Sequence, residues 1–417
     1  MNKVKIIAGL AAAVALVGFG DSAHAAGFAN TAQSGTATGM AGVATANPDE
    51  PNSNFYNPAA MTFRDEINVY IGPTFILPSV DYTSPQGVED QTEPAFFYPP
   101  NLNVSVPLGE NFAAGVGVTL PWGLAITWPE NWLGRETFVS QDLRTLNINP
   151  NFAYRLSDID LSFAAGTQII RSDIQQSRAF VPRDGDDMAV MLGGVGHGVG
   201  GTFAVMYQPL STVTLGLNYR SAVKINFDGH VHFRGVEGTP FEQVMIDQAI
   251  STSLTVPHVL NVGVGWNAME SLFVGLDVNY MTWSTYDKVE INYATQSPEG
   301  PPTAEHPTGP PTVAHSDWND AIAVRLGAEF EVVENLKLRT GFAYDMTPVP
   351  AETAGPSLPD NNRYVIGAGA GYTWNGIRSD LGYNLIIIEE RVVDNGNADG
   401  TYQMSAHVIG FNVGYGF

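Results

Sequence analysis

The sequence predicts an all-β protein, a 14-stranded antiparallel transmembrane β-barrel with an N-terminal hatch, or plug, in its lumen. Three observations carry the prediction. The chain ends in strict alternation: Ile409, Phe411, Val413, Tyr415 and Phe417 are apolar, and Gly410, Asn412, Gly414 and Gly416 stand between them. A strand turns successive side chains to opposite faces, so this one offers an aromatic face to lipid and a small, polar face to the interior. The same alternation recurs along most of the chain, with connections that are short and long in turn. The chain also begins like a secreted protein.

The elements follow in order. Lys3 and Lys5 precede an apolar run from Ile6 to Phe19, and Ala23-His24-Ala25 supplies small residues for cleavage. The run is about fourteen residues, short of the roughly twenty that a spanning helix needs, so 1–25 reads as a signal peptide and the mature chain starts at Ala26. Residues 26–65 are rich in Gly, Ala, Ser, Thr and Asn and lack long alternation. In a chain entering from the periplasm, the economical place for such a segment is inside the barrel; Asn57-Pro58-Ala59, beside Phe55 and Tyr56, reads as an ordered turn within it. Residues 66–417 make the barrel. Period-two runs predict strands at 66–78, 95–107, 111–121, 143–156, 159–174, 194–208, 211–234, 253–267, 271–292, 317–333, 335–346, 361–375, 377–393 and 402–417. Short turns near Ser157, Pro209, Ala268, Glu334 and Asn375 fall on the periplasmic side, and the stretches 122–142, 175–193, 235–252, 293–316 and 347–360 face outward.

The two faces of these strands are chemically sorted. Asn147, Asn149, Asn151 and Arg155 oppose Leu146, Ile148, Phe152 and Tyr154; Arg325, Glu329 and Glu331 oppose Ile322, Val324, Leu326 and Phe330; Lys337, Arg339 and Asp345 oppose Leu336, Leu338, Phe342 and Tyr344. A charge on the lipid face costs about 2–4 kcal/mol at the midplane, so sorting of this kind suits a barrel wall. Composition excludes other classes. The absence of cysteine removes thiol catalysis, disulfides and thiolate metal sites. With 42 acidic against 19 basic residues, a nucleic-acid partner is excluded, because phosphate binding needs a basic surface.

Four stretches carry a resemblance: Ala26-Gly27-Phe28; Tyr56-Asn57-Pro58-Ala59-Ala60-Met61; Tyr219-Arg220-Ser221-Ala222-Val223-Lys224; and Thr347-Pro348-Val349-Pro350 followed by Leu358-Pro359-Asp360-Asn361-Asn362-Arg363. In these the chain resembles the long-chain fatty acid transporter (FadL) family of outer-membrane proteins, relatives of the toluene and xylene channels. The resemblance implies a fourteen-stranded barrel stoppered by an N-terminal hatch. It also implies uptake of a hydrophobic molecule: capture between the third and fourth outer loops, an interior site, a shift of the hatch, and sideways exit into the bilayer at a kink in the third strand. The partners implied are the fatty acid or hydrocarbon itself, outer-membrane lipid and lipopolysaccharide, and the barrel-assembly machinery, for which the closing aromatic strand is the signal.

Specific residues fit this scheme. Trp122, Leu124, Trp128, Trp132 and Phe138 give the third loop the apolar area of a capture surface, with an aromatic girdle as the alternative. Gly115 and Gly117, in a strand that ends at Pro121, suit the kink, and Asn57, Pro58 and Ala59 belong to the hatch. Phe28 resembles the family's latch position. Phe180 and Met191 could complete the capture groove, although 175–193 is short for the family's fourth loop. Arg171 and Arg178 are the basic candidates for a carboxylate headgroup, with an interior ion-pair network as the alternative. In Asp317-Trp318-Asn319-Asp320 an asparagine stands where a fatty acid transporter can have lysine. That leaves the choice between fatty acid and neutral or aromatic hydrocarbon open, and a general or structural porin stands as the alternative function.

Other signals lead nowhere. Gly196-His197-Gly198-Val199-Gly200-Gly201 matches a dinucleotide pattern but lacks the helix that would cradle a phosphate. His230 and His232 share a strand face without a third metal ligand nearby. There is no Gly-x-Ser-x-Gly elbow and no opposed carboxylate pair, so no catalytic residue, metal or cofactor is assigned and the protein reads as a non-enzyme.

Overall fold

The computed structural model describes residues 27–180, 188–239, 242, 245–295 and 311–417; the expected signal peptide lies outside them. The barrel strands are β1 (Asn68–Thr83), β2 (Pro100–Pro107), β3 (Phe112–Thr119 and Gly123–Thr127), β4 (Ser140–Leu156), β5 (Leu161–Phe180), β6 (Met188–Leu210) and β7 (Val213–Arg220 and Val223–Arg234). They continue as β8 (Gln248–Val256 and Val259–Met269), β9 (Leu272–Met281 and Lys288–Tyr293), β10 (Thr312–His315 and Ala321–Val333), β11 (Leu336–Asp345), β12 (Arg363–Trp374), β13 (Ile377–Ile388, with a short extension Arg391–Val393) and β14 (Gly400–Gly416). Neighbours pair antiparallel, and β14 returns to β1 with Tyr415 opposite Val69 and Thr401 opposite Thr83, closing a 14-stranded barrel. Closure of the sheet on itself is the condition for strands to cross a bilayer.

The sorted faces lie as the alternation demands. Asn147, Asn149, Asn151, Arg325, Arg339 and Asp345 are buried in the lumen, while Phe152, Val199, Leu326, Trp374 and Phe411 are exposed on the outer wall. Aromatic residues mark the two rims. Phe112, Tyr154, Trp266, Tyr372 and Trp374 sit near the periplasmic turns. At the outer rim four tyrosine hydroxyls meet a polar partner: Tyr219 with His258 Nδ1 (2.8 Å), Tyr280 with Asp320, Tyr364 with Glu389 (3.0 Å) and Tyr383 with His407 Nδ1 (2.8 Å). An amphipathic ring with its hydroxyl held in the polar zone suits this depth.

The stretch 175–193, read from sequence as an outer loop, is largely strand instead. β5 and β6 stay in register from Leu161 opposite Tyr207 up to Phe180 opposite Met188. Beyond the bilayer the outward face of these strands meets water instead of lipid, so the hydrophobic alternation that marks a strand is lost while the backbone ladder continues.

The segment from Gly27 to the start of β1 runs through the lumen as two short helices, α1 (Gly35–Gly39) and α2 (Ser53–Tyr56), and a 3-10 turn, Pro58–Phe63. The buried wall charges receive its backbone. Asp277 accepts from the amides of Ala44 and Thr45 (2.9 Å each), Arg325 donates to Ala41 O (3.0 Å), Arg378 donates to Asp49 O (3.0 Å), and Asn412 accepts from Gly35 N (2.7 Å). The wall charges also pair with one another: Arg339 lies 2.6 Å from Glu329 and 2.7 Å from Asp380, and Arg325 lies 3.2 Å from Asp345. Such partners allow charge to persist without bulk water. Asn57 caps the 3-10 turn through Ala59 N (3.1 Å) and ties it to Thr45 O (2.8 Å) and Val205 O (3.1 Å); Pro58 starts the turn, where a missing N–H costs nothing.

Candidate functional site: an aromatic box at three strand breaks

The third strand is interrupted at Leu120, Pro121 and Trp122. Its lower piece pairs with both neighbours up to Val118 opposite Leu102, and its upper piece pairs with β4 from Gly123 opposite Arg144. Proline cannot donate to a ladder, which favours the departure at this point. The hatch takes up the released groups. Asn30 N donates to Pro121 O (2.7 Å), Gly123 N donates to Phe28 O (2.9 Å), and Leu120 O accepts from Asn30 Nδ2 (3.3 Å) and Gln33 Nε2 (3.0 Å). Ala29 and Trp122 thereby form an antiparallel bridge between hatch and wall.

Gly115 and Gly117 do not make this kink; they lie in regular ladder, Gly115 opposite Asn151 and Gly117 opposite Asn149. Their missing side chains make room for the hatch. A Cβ on Gly115 would stand 2.5 Å from Met61 Sδ and 2.6 Å from Asn54 Nδ2, and one on Gly117 would stand 3.0 Å from Asn54 Cβ.

Two further strands break at the outer rim and send aromatics inward. β9 leaves its ladder after Met281 and makes a 3-10 turn, Trp283–Thr285; β10 turns at Asp317, whose φ is +50°. The two detours are bonded together, with Asp287 O accepting from Ser316 N (2.7 Å) and Asp317 N (2.9 Å). Their aromatics meet the end of the hatch. The Phe28 ring, 3 % exposed, lies 4.7 Å from Trp283, 5.6 Å from Tyr286, 5.7 Å from Trp318 and 6.3 Å from Trp122 between ring centroids. Edge-on and tilted packing of this kind adds about 0.5–1.5 kcal/mol per pair to the burial itself. Gly27 N is held by Asp360 Oδ2 (3.3 Å), a buried carboxylate braced by Arg363 (2.6 Å) and Thr347 (2.7 Å). Sequence reasoning assigned Phe28 and Trp122 but missed Trp283, Tyr286 and Trp318, whose available signal was an aromatic beside each lapse in alternation.

Above the box is a cavity of about 320 Å³. Phe28 forms part of its floor, and Leu124, Phe138, Leu143, Phe227, Leu254 and Trp318 line it with Val349 and Leu358. No lysine, arginine, aspartate or glutamate is among its described lining residues; its polar groups are hydroxyls, amides and His315. The chamber is mixed, with aliphatic and aromatic side chains beside hydroxyl and amide groups, a lining that can take a hydrophobic ligand carrying a small polar group.

The remaining sequence candidates fall into distinct places. Leu124 and Phe138 line the cavity, whereas Trp128 and Trp132 are sealed from solvent at 0 % and 1 % exposure. Their rings stack at 4.4 Å, and their indole N–H groups donate to Pro356 O (3.1 Å) and Phe138 O (2.7 Å). The third loop folds its tryptophans over the lumen, against Tyr82 and Tyr402, so they are not the exposed capture surface expected of them. Phe180 and Met191 are half-buried on the upper β5–β6 hairpin and do not line the cavity. Arg171 faces out of the wall beside Asp173 (3.2 Å), in a recess shared with Asp142, Arg144 and Leu120, and Arg178 is exposed near the end of β5. Neither reaches the interior, because at its position the strand alternation assigns the lumen to Ile170 and Ser172 while Arg178 lies beyond the wall.

A closed barrel crossed by its own N-terminal segment, with sorted faces, two aromatic rims and an apolar chamber over the hatch, defines an outer-membrane transport protein rather than an enzyme. The chain belongs to the outer membrane protein transport protein (OMPP1/FadL/TodX) family, whose model matches residues 16–417. It is 27 % identical to the long-chain fatty acid transport protein of Escherichia coli O6:H1, over 98 % of both chains. It is 25 % identical to the 47 kDa outer membrane protein of Pasteurella multocida, over 98 % of this chain and 97 % of that one. In fold it is similar to a Pseudomonas aeruginosa FadL homologue (TM-score 0.81, 19 % identity, 94 % of this chain and 99 % of that one) and to the Ralstonia pickettii toluene transporter TbuX (TM-score 0.71, 15 % identity, 92 % and 98 %).

Proposed function

We propose that the protein takes hydrophobic molecules through the outer membrane by way of the upper cavity, a shift of the hatch and sideways release at the β3 break. The observation that carries this reading is shared use of one residue. Phe28 lines the cavity, and its own carbonyl holds Gly123 at the break, so a ligand that disturbs Phe28 disturbs the wall. Residues 26–65 act as the hatch and 66–417 as the barrel. Relatives carry names for both fatty acid and toluene transport. The cavity favours the neutral end of that range, since its described lining offers no lysine or arginine for a carboxylate and Arg171 lies outside the wall. The exposed face of Ile409 to Phe417 suits recognition by the assembly machinery and contact with outer-membrane lipid.

The test is uptake by cells with and without the protein, using radiolabelled toluene and palmitate. Faster uptake of toluene with the protein present is expected. Unchanged uptake of both compounds sinks the proposal, and a gain for palmitate alone overturns the preference for neutral ligands.

A further inference from the structure

Trp128 and Trp132 are sealed, so they offer no exposed capture surface, and the ladder between β8 and β9 shows an interval where the wall is unpaired. Below, these strands pair continuously from Met269 opposite Leu272 to Val259 opposite Met281. Above, they share only Ile250 opposite Tyr293 and Ser251 opposite Asn292. Between these, residues 252–258 and 282–291 form no ladder pair. Two contacts close its ends: Thr252 Oγ1 donates to Glu290 O (2.8 Å), and His258 N and O bond Thr282 (3.1 Å each). The β8 side is not itself loose, because Val256 to Thr252 stay paired with β7 from Val223 to Phe227.

The cavity reaches into this interval from both edges. Thr252, Ser253 and Leu254 on one side and Val289 and Ile291 on the other belong to its lining. A smaller cavity of about 60 Å³ shares Ile174, Gln176, Phe227, Thr252, Val289 and Ile291 with it and extends to Ile250, Gly229, Gly193 and Gly194, with no charged side chain in its lining. The interval begins immediately above Tyr280, hence at the outer rim of the bilayer. The interruption has a local cause. β9 gives up its ladder to turn Trp283 and Tyr286 onto Phe28.

We propose that the interval between β8 and β9 is a side window through which a hydrophobic small molecule enters the cavity from the level of the outer-leaflet headgroups. This rests on the uptake reading above and adds the route. The window and the β3 break face different sectors of the wall, so entry and exit use different openings, and the Phe28 box adjoins both.

The cysteine-free chain gives a direct test. Single variants Ser253→Cys, Val289→Cys and Leu133→Cys, the last at an exposed position in the third loop, are treated on intact cells with benzyl methanethiosulfonate, and radiolabelled toluene and palmitate uptake is followed. Modification at 253 or 289 is expected to lower uptake roughly tenfold and reduction to restore it, with modification at 133 changing it less than about twofold. Heat-modifiable mobility on gels verifies that each variant is a folded barrel. Labelled 253 and 289 variants that still transport at the unmodified rate overturn the window while leaving the uptake reading intact. Unmodified folded variants and parent chain that carry neither compound overturn both.

Discussion

Glu50 makes docking of the hatch depend on pH. It is fully buried, its Oε1 accepts from Asn52 N (3.0 Å), and its Oε2 has no hydrogen-bond partner. Burial pushes its carboxyl from an ordinary 4.5 up to about 7, against smaller opposing contributions from Asn52, Ser34 and Arg378. The docked hatch therefore binds this proton more tightly than a displaced hatch whose Glu50 meets water. Docking is favoured fully below about pH 4.5, weakens as pH rises, and loses the whole contribution above about pH 7. The difference of 7 − 4.5 = 2.5 units, at 1.36 kcal/mol each, amounts to about 3 kcal/mol, or roughly three-hundredfold in the docking equilibrium. Glu50→Gln keeps the shape and removes the proton, so its hatch should stay docked at both ends of the range. Spin labels at Asp49→Cys and Asp158→Cys, both exposed at the periplasmic end, report the position of the hatch. Their distance distribution should broaden between about pH 5 and pH 8 in the parent background and stay narrow with Glu50→Gln. A parent distribution that does not change with pH, or a transition that survives Glu50→Gln, refutes the reasoning.

Three other perturbations have defined outcomes. Phe28→Ala empties the aromatic box at a cost of about 3–5 kcal/mol and should raise the frequency of conductance openings in planar bilayers; an unchanged opening frequency counts against a latch. Gly115→Val drives its side chain into Met61 and Asn54, costing about 1–3 kcal/mol, and should make Asn54→Cys in that background accessible to a water-soluble thiol reagent while the barrel keeps its heat-modifiable mobility. Arg339→Met strips Glu329 and Asp380 of a fully buried partner and should lower unfolding stability in detergent by about 3–5 kcal/mol, read as a fall in the urea midpoint.

The barrel was legible in sequence because lipid and lumen impose opposite chemistry on alternate residues, as Asn147, Ile148, Asn149 and Phe152 illustrate. The same signal fails where lipid ends. Asp173 to Arg178 continue β5 beyond the rim with a polar outward face, Asp173, Gln175 and Ser177, so their strand reads as loop. Glycine in a strand carries two meanings, a bend or a close approach, and only the position of Asn54 and Met61 selects the second for Gly115. The tryptophans of the third loop were identified as important, but whether an apolar loop is exposed or folded inward depends on partners far along the chain, here Tyr82 and Tyr402.

The three breaks have one energetic consequence for uptake. Freeing Phe28 from the box and from β3 loses the burial of one aromatic ring, its edge contacts, and the two backbone bonds to Pro121 O and from Gly123 N. At about 2 kcal/mol for the ring, about 1 for its contacts and about 1 for each bond, the released state lies about 5 kcal/mol above the docked one. With Glu50 protonated its population is then on the order of one in several thousand, so at acid pH and without ligand the wall stays closed almost always. A ligand changes this only by binding the released state better than the docked one. The vacated space among Trp283, Tyr286 and Trp318 offers that difference to any molecule with a ring or an alkyl segment of similar bulk. Under the proposed mechanism, selection for hydrophobic cargo would operate at the latch itself: a polar solute that entered the cavity could not replace what Phe28 loses, and the hatch would stay in place.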